Sequence, residues 1–128
     1  MTLQQLNRIS GAIVDAGIEV HLHLGPGLLE SAYQSCLLHE LRIRGFSVQS
    51  QIQLPLIYKG VQLDLGYRID LLVDNAVVIE TKCVEKILPV HEAQLLSYLR
   101  LSNKRIGLIL NFKTARLRDG IKRMVNNL

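Results

Sequence analysis

Two apolar segments joined by a tight turn constrain the fold of this 128-residue chain more than any other feature. Residues 67–73 and 76–82 are nearly continuously apolar, and Asp74-Asn75 between them is typical of a hairpin turn. Strands without polar and apolar alternation are covered on both faces, as the central strands of a sheet are. The two segments therefore predict a central β-hairpin with protein packed on both sides.

The N-terminal part of the chain predicts two helices. Apolar residues recur at steps of three and four over residues 4–24, which places one apolar stripe along a helix. The run Gly25-Pro26-Gly27 ends this helix, because glycine permits a left-handed terminal residue and proline cannot continue the hydrogen-bond pattern. A second helix is expected to start afresh near Gly27 or Leu28 and to run to about Arg44.

The remaining segments predict an α/β domain. Residues 46–58 are β-branched and glutamine-rich and form one strand or two, and Lys59-Gly60 predicts a turn before a strand that begins at Val61. After Pro89 in the sequence we expect a helix over residues 90–101, then a buried strand over residues 105–111 and a short basic helix over residues 121–127. The expected architecture is a single domain over residues 1–128, with a mixed central sheet flanked by helices and an extra N-terminal helix.

The net charge of +4 and the pI near 9.3 favour polyanionic partners. The basic surplus gathers towards the C-terminus. We therefore predict a nucleic-acid-binding surface formed by five residues: Lys113, Arg116, Arg118, Lys122 and Arg123. The alternative is a solvated basic face that only keeps the protein soluble.

Export and membrane insertion are not expected from the sequence. No apolar stretch approaches the ~18 residues that a membrane span needs, and the N-terminus lacks the basic start and apolar block of a signal peptide. Cys36 and Cys83 form no CxxC pair and are interpreted as reduced thiols. We therefore expect a cytoplasmic protein without membrane contact, and the sequence leaves a homodimer open.

Three charged residues interrupt the two apolar segments. Side chains alternate along a strand, so Glu80 and Lys82 point to the same face. Asp70 lies roughly opposite Glu80 if the turn is at residues 74 and 75. Two carboxylates, with the backbone carbonyl of Thr81, would supply oxygen ligands for Mg²⁺ or Mn²⁺. Lys82 would orient the attacking water or stabilise charge on the phosphoryl oxygens. The alternative is a salt-bridge cluster at a strand end.

A fourth charge, Glu30, lies on the predicted second helix on the same face as Tyr33 and two leucines. An unpaired buried carboxylate is costly, so a cation, a metal ion or a hydrogen-bond donor is expected beside it. The alternative is a first-turn glutamate that the helix dipole and Tyr33 stabilise.

These residues together resemble a known nuclease signature. Asp70 followed by Glu80-Thr81-Lys82 is similar to the D…ExK motif of the PD-(D/E)XK nuclease superfamily, whose core order is αβββαβ. Glu30 matches the glutamate that many members carry on the preceding helix. Gln94 and Tyr98 are similar to the QxxxY motif of the RecB-like nucleases.

The segment Gly27-Leu28-Leu29-Glu30-Ser31-Ala32-Tyr33 also resembles the GxxExxY signature of a family of small bacterial and archaeal proteins in that superfamily. The resemblance implies hydrolysis of phosphodiester bonds in DNA or RNA by metal-activated water. Lys82, Glu30, Gln94 and Tyr98 would be catalytic, with Tyr33 and His91 in supporting positions. The alternative for His91 is a solvent-exposed first-turn histidine. The alternative for the protein is a non-catalytic nucleic-acid-binding or protein-interaction module that retains the fold.

Overall fold

The computed structural model describes residues 1–128 and has an α/β architecture with an additional N-terminal helix, as predicted. A 3-10 helix at Leu117–Gly120 precedes the last strand. None of the helices combines the length and the hydrophobicity that a membrane span requires. The helices and strands in chain order are α1 (Leu3–Leu24), α2 (Glu30–Ile43), β1 (Val48–Gln53), β2 (Leu56–Tyr58), β3 (Val61–Leu63), β4 (Arg68–Val73), β5 (Val77–Lys82), α3 (Pro89–Ser102), β6 (Ile106–Asn111) and β7 (Ile121–Val125).

Five strands form one mixed sheet in the order β1-β4-β5-β6-β7. Only β5 and β6 are parallel, and α3 provides the crossover connection between them. The strands β2 and β3 form a separate hairpin inserted between β1 and β4. Without this insertion the order α2-β1-β4-β5-α3-β6 is the αβββαβ core that the sequence predicts.

Helices cover both faces of the sheet. Leu71 and Ile79 pack with α1 and α2, whereas Leu72 and Val78, their neighbours in sequence, pack with Leu95 and other residues of α3. Successive side chains of a strand point to opposite faces, so a strand with apolar partners on both sides needs an unbroken apolar sequence. This packing confirms the central position of β4 and β5.

The second helix begins later than expected. Gly25 has a φ of 69°, and Leu29 is still extended, with φ −67° and ψ 150°. The chain therefore changes direction over the five residues from Gly25 to Leu29, and Glu30 is the first residue of α2. A carboxylate in the first turn of a helix is stabilised by the free N–H groups and the helix dipole.

The hairpin between β4 and β5 has a three-residue loop. Val73 pairs with Val77 and Leu71 pairs with Ile79, so the turn is centred on Asn75. Asp74 and Asn75 both have positive φ, which asparagine and aspartate tolerate better than most residues. Continued outward, the same register places position 70 opposite position 80.

The segment 46–58 divides into two strands at Pro55. Proline has no N–H group for a ladder hydrogen bond, and Leu54 before it donates its own N–H to the carbonyl of Tyr67 at 2.8 Å. The chain then leaves the main sheet and forms the β2–β3 hairpin. Lys59 and Gly60, both with positive φ, form its turn as predicted.

The prediction of a short helix over residues 121–127 is wrong, because the segment forms strand β7. It pairs antiparallel with β6, with Ile121 opposite Leu110. Without β7 the fully buried strand β6 would leave a row of backbone groups unpaired. Ile121 and Met124 have helical spacing, but they pack into the cores on opposite faces of the sheet, which only an extended strand allows.

Candidate active site

Four of the residues singled out in the sequence meet at one end of the five-stranded sheet. β4 enters the sheet at Arg68 and β5 leaves it at Lys82, and because the two strands are antiparallel these positions lie at the same end. Asp70 and Glu80 are two residues inside this end. Glu30 extends towards this end from the start of α2, and the charges of Asp70 and Lys82 affect the pKa of its carboxyl group.

Hydrogen bonds hold the Asp70 carboxylate against β5. Its Oδ2 accepts from the backbone N–H of Thr81 at 2.9 Å and from Thr81 Oγ1 at 3.1 Å. The backbone N–H of Asp70 donates to Oε1 of Glu80 at 3.4 Å. The two carboxylates are therefore adjacent, as the hairpin register requires.

The strand is irregular at Asp70, and this irregularity redirects its side chain. On either side of it, Leu71 pairs with Ser50 and Ile69 pairs with Ile52, whereas Gln51 between them has a φ of 52°. Ile69 packs with α3 and Leu71 packs with α1 and α2, although residues two apart in a regular strand share a face. The alternation is thus interrupted at Asp70, which allows its carboxylate to reach Thr81.

Glu80 is buried, and burial together with the charge of Asp70 raises its pKa to about 9. The N–H of Asp70 and the ammonium of Lys82 oppose this rise without cancelling it. Burial and Asp70 also raise the pKa of Glu30, against Lys82 and the backbone of Cys83. Three carboxylates therefore face a single ammonium group, and the cluster lacks positive charge.

The α3 residues Gln94 and Tyr98 border this cluster. They lie one helical turn apart, and Gln94 Nε2 donates to the Tyr98 hydroxyl at 3.2 Å. Burial and then the charge of Glu80 raise the pKa of the Tyr98 hydroxyl. The structure thus brings both residues of the predicted QxxxY pair to the site.

Tyr33 supports the site through the chain segment that precedes Glu30. The fully buried ring carries a hydroxyl that accepts from Leu28 N–H at 3.0 Å and donates to the Gly25 carbonyl. These bonds fix both sides of Gly25-Pro26-Gly27 relative to α2. The contact supports a positioning role for Tyr33 rather than one in contact with a substrate.

His91 closes the first turn of its own helix. Its Nδ1 accepts a hydrogen bond from the Leu88 N–H at 2.9 Å, which satisfies a donor at the start of α3. The second ring nitrogen has no hydrogen-bond partner. A contact between His91 and a substrate stays a prediction.

The basic residues near the C-terminus do not share one surface. Lys122 and Arg123 are neighbours on β7 and point to opposite faces of the sheet. Lys122 Nζ lies 3.4 Å from a carboxylate oxygen of Glu92 on α3, whereas Arg123 donates to Asn7 on α1 at 2.9 Å. Their contribution to nucleic-acid binding stays a prediction.

The other three basic residues lie before β7. Lys113 is 2.5 Å from Glu85, and this exposed contact lowers the pKa of Glu85. Arg116 and Arg118 line a groove beside α1. The five residues are therefore distributed around the domain, so any one nucleic-acid strand would contact only some of them.

A polar network behind Asp70 was not predicted. Gln51 Nε2 donates to Gln34 Oε1 at 2.6 Å, and Gln34 Nε2 donates to Thr81 Oγ1 at 3.3 Å, which in turn donates to Asp70. The spacing of Gln34 from Glu30 is the one sequence signal, because residues four apart share a helix face. The Thr81 side chain, on the opposite face from Glu80, therefore links Asp70 to α2.

A family model described as the PD-(D/E)XK nuclease superfamily matches residues 7–124. The chain belongs to this superfamily. No curated protein and no solved structure gives a significant match. The matched region contains the carboxylates, Lys82 and the α3 pair described above.

Members of the PD-(D/E)XK nuclease superfamily generally use divalent metal ions, and the donor atoms of this site fit such an ion. The protonated Glu80 side chain forms a hydrogen bond with the Asp70 carboxylate, and a cation between the two groups would take the place of that proton. No group of three or more His, Cys, Asp or Glu side chains is arranged to hold an ion by itself. Backbone oxygen and water would complete the coordination, as Mg²⁺ prefers.

Proposed function

We propose that this protein is a magnesium-dependent nuclease that hydrolyses phosphodiester bonds in DNA or RNA, with Mn²⁺ able to replace Mg²⁺. The observation that carries the proposal is the meeting of Asp70 and Glu80 at one sheet end, where burial and mutual repulsion raise the pKa of Glu80 to about 9. A divalent cation would relieve this repulsion and supply the missing positive charge.

Asp70, Glu80 and the Thr81 backbone carbonyl would hold the cation. When bound, the ion lowers the pKa of a coordinated water and neutralises phosphate charge. Lys82 lies on the same strand two positions beyond Glu80, and its ammonium would stabilise charge on the phosphoryl oxygens. Glu30, whose pKa is raised, would accept a hydrogen bond from the attacking water and hold it in place.

The residues of α3 and of the loop before α2 would orient these groups. The Tyr98 hydroxyl, bonded to Gln94, would restrict the Glu80 carboxylate on its α3 side. Tyr33 would keep Glu30 at the first position of α2 through its bonds to Gly25 and Leu28. We also propose membership of the GxxExxY family, supported by this direct link between the motif's tyrosine and the segment that contains its glycine.

Two measurements test the proposal. Calorimetric titration with Mg²⁺ and with Mn²⁺ should show binding to the unmodified protein and none to Asp70→Ala. The unmodified protein should also cleave a mixture of labelled DNA and RNA, in single- and double-stranded form, only when the metal is present. Nucleic-acid binding without metal binding or cleavage would instead support the alternative of a non-catalytic binding module.

A further inference from the structure

An exposed aromatic ring, that of Tyr67, lies at the rim of the candidate active site. Its centroid is 6.1 Å from that of Tyr98, and the two rings are inclined at 59°. Tyr98 is buried beside Glu80, whereas Tyr67 is 41% exposed. Because Tyr67 is three residues before Asp70 on an extended chain, it is about 10 Å from the carboxylate pair along the strand. A partly exposed aromatic ring is thus available at the edge of the candidate active site.

The β2–β3 hairpin begins beside Tyr67, whose carbonyl accepts the Leu54 N–H, and it also exposes apolar side chains. Tyr58 pairs with Val61, and both side chains are more than half exposed, as is that of Leu65. The register puts the Leu56–Leu63 pair on the same face of the hairpin as Tyr58 and Val61. The hairpin therefore has one wholly apolar face, has no strand beside it, and presents apolar side chains to solvent.

An unpaired basic side chain accompanies this surface. The Lys59 ammonium lies 5.4 Å from the centre of the Tyr58 ring and forms no salt bridge. Arg68 also forms no salt bridge, but it directly follows Tyr67 on the extended chain, so its side chain points to the opposite face from that of Tyr67. The surface therefore combines aromatic and aliphatic side chains with free positive charge.

That combination discriminates between forms of nucleic acid. A duplex stacks its bases internally and presents phosphates and groove edges, for which exposed aliphatic and aromatic side chains offer little. An unpaired strand exposes base faces, which stack on aromatic rings while its phosphates contact Lys and Arg. Tyr67 and the β2–β3 hairpin supply both kinds of group, exposed aromatic rings and an unpaired ammonium.

We propose that Tyr67 and the apolar face of the β2–β3 hairpin bind unpaired bases next to the bond to be cleaved, so that single-stranded nucleic acid is the substrate class. The proposal deepens and rests on the proposed nuclease function. Tyr67 receives the base nearest the site, and the hairpin contacts the nucleotides that follow. Lys59 neutralises a phosphate of these nucleotides.

The test measures binding without cleavage. Fluorescence anisotropy in EDTA follows a labelled DNA strand of ~12 nucleotides, within the range of known single-strand site sizes, and its matched duplex. All variants carry Asp70→Asn to remove one repelling charge. The single strand should bind more tightly than the duplex. Tyr67→Ala should lower single-strand affinity by ~5-fold to ~150-fold, equivalent to losing one stacked base.

Two control variants separate stacking from other effects. Tyr67→Phe keeps the ring and should bind like the parent. Leu101→Ala changes an apolar residue of similar exposure, 39%, at the far end of α3, and should also bind like the parent. The salt dependence of the Tyr67→Ala variant should match that of the parent, because no phosphate contact is removed.

Three results would overturn the proposal. These are equal or tighter binding of the duplex, unchanged single-strand affinity in Tyr67→Ala, and a concentration-dependent dimer that Tyr58→Ala abolishes without affecting single-strand binding. The last result would assign the hairpin surface to a second copy of the chain. Failure of the nuclease proposal is seen separately, as absence of metal-dependent cleavage by the unmodified protein, because the binding test involves neither metal nor cleavage.

Discussion

The ring of Tyr33 stacks on that of Phe112, with centroids 4.6 Å apart and planes inclined by 10°. Phe112 follows strand β6, and its N–H donates to the carbonyl of Lys82 at 2.9 Å. The tyrosine that holds the loop before Glu30 is therefore packed on the residue that fixes the end of β5. Both halves of the candidate site share this one support.

Replacing Tyr33 by phenylalanine tests this support. Tyr33→Phe keeps the stacking on Phe112 but leaves the Leu28 N–H and the Gly25 carbonyl without their partner. We expect a loss of ~1–3 kcal/mol in the free energy of unfolding, the cost of part-buried groups left unsatisfied. Urea denaturation measures it. Cleavage should fall further than the remaining folded fraction accounts for, because Glu30 is displaced. Unchanged cleavage would argue against the positioning role.

Glu80→Gln should abolish divalent-metal binding while the fold survives. The substitution removes a ligand charge from a cluster whose like charges repel one another, and it conserves side-chain volume. Calorimetry measures metal binding, and circular dichroism verifies folding. If the variant bound metal as tightly as the parent, the assignment of the site would be wrong.

The stability of the metal-free protein should fall as pH rises. The pKa of Glu80 is about 9 in the folded protein and near its ordinary value of 4.5 in the unfolded protein, so the folded state binds this proton more tightly. The resulting stabilisation is complete below pH 4.5 and is lost as pH rises towards 9. Urea denaturation in EDTA at pH 6 and pH 8.5 measures the difference. Glu80→Gln should reduce this difference in stability. An equal pH dependence in that variant would contradict the raised pKa of Glu80.

Lys82→Ala should leave metal binding nearly intact and lower the cleavage rate by ~100-fold or more, the scale of one preorganised electrostatic contact. Circular dichroism recorded beside the cleavage assay separates this result from unfolding. Loss of the fold would instead support the salt-bridge interpretation of the cluster.

Reversing Arg116, Lys122 and Arg123 to glutamate should weaken binding to all nucleic-acid sequences alike. Each phosphate contact removed should lower the slope of log affinity against log salt by ~0.7 to 0.9. Filter binding at several salt concentrations measures the slope. The single variants Lys122→Glu and Arg123→Glu change opposite faces of β7 and identify the face that contacts the strand. Unchanged slopes in all three variants would remove these residues from the binding surface.

The sequence predicted the parts of the fold that periodicity specifies. The unbroken apolar runs of β4 and β5 require cover on both faces, and the Asp74-Asn75 turn sets their register, so positions 70 and 80 were correctly expected to lie opposite each other. Residues 121–127 were wrongly predicted because Ile121 and Met124 pack on both sides of the sheet. Over so few residues, that pattern is indistinguishable from helical spacing.

The unpredicted part of the site depends on backbone irregularity. The link from Gln34 through Thr81 to Asp70 exists because β4 departs from regular alternation at Asp70, opposite the positive φ of Gln51. No residue type marks this position, since glutamine rarely adopts that conformation. Parity assigned Thr81 to the opposite face from Glu80, which is correct for its side chain, but it gave no indication that Asp70 would reach across to it.

The separate β2–β3 hairpin makes one region of the chain replaceable. Gln53 pairs with Arg68 in the main sheet, and the Leu54 N–H bonds to Tyr67, so the chain leaves and re-enters the domain at nearly the same point. Residues 55–66 could thus be exchanged for a hairpin of different length or composition while the strands holding Asp70 and Glu80 stay in register. Under the functions proposed above, substrate preference and catalytic power would therefore be separable traits in this scaffold, open to independent change by evolution or by protein engineering.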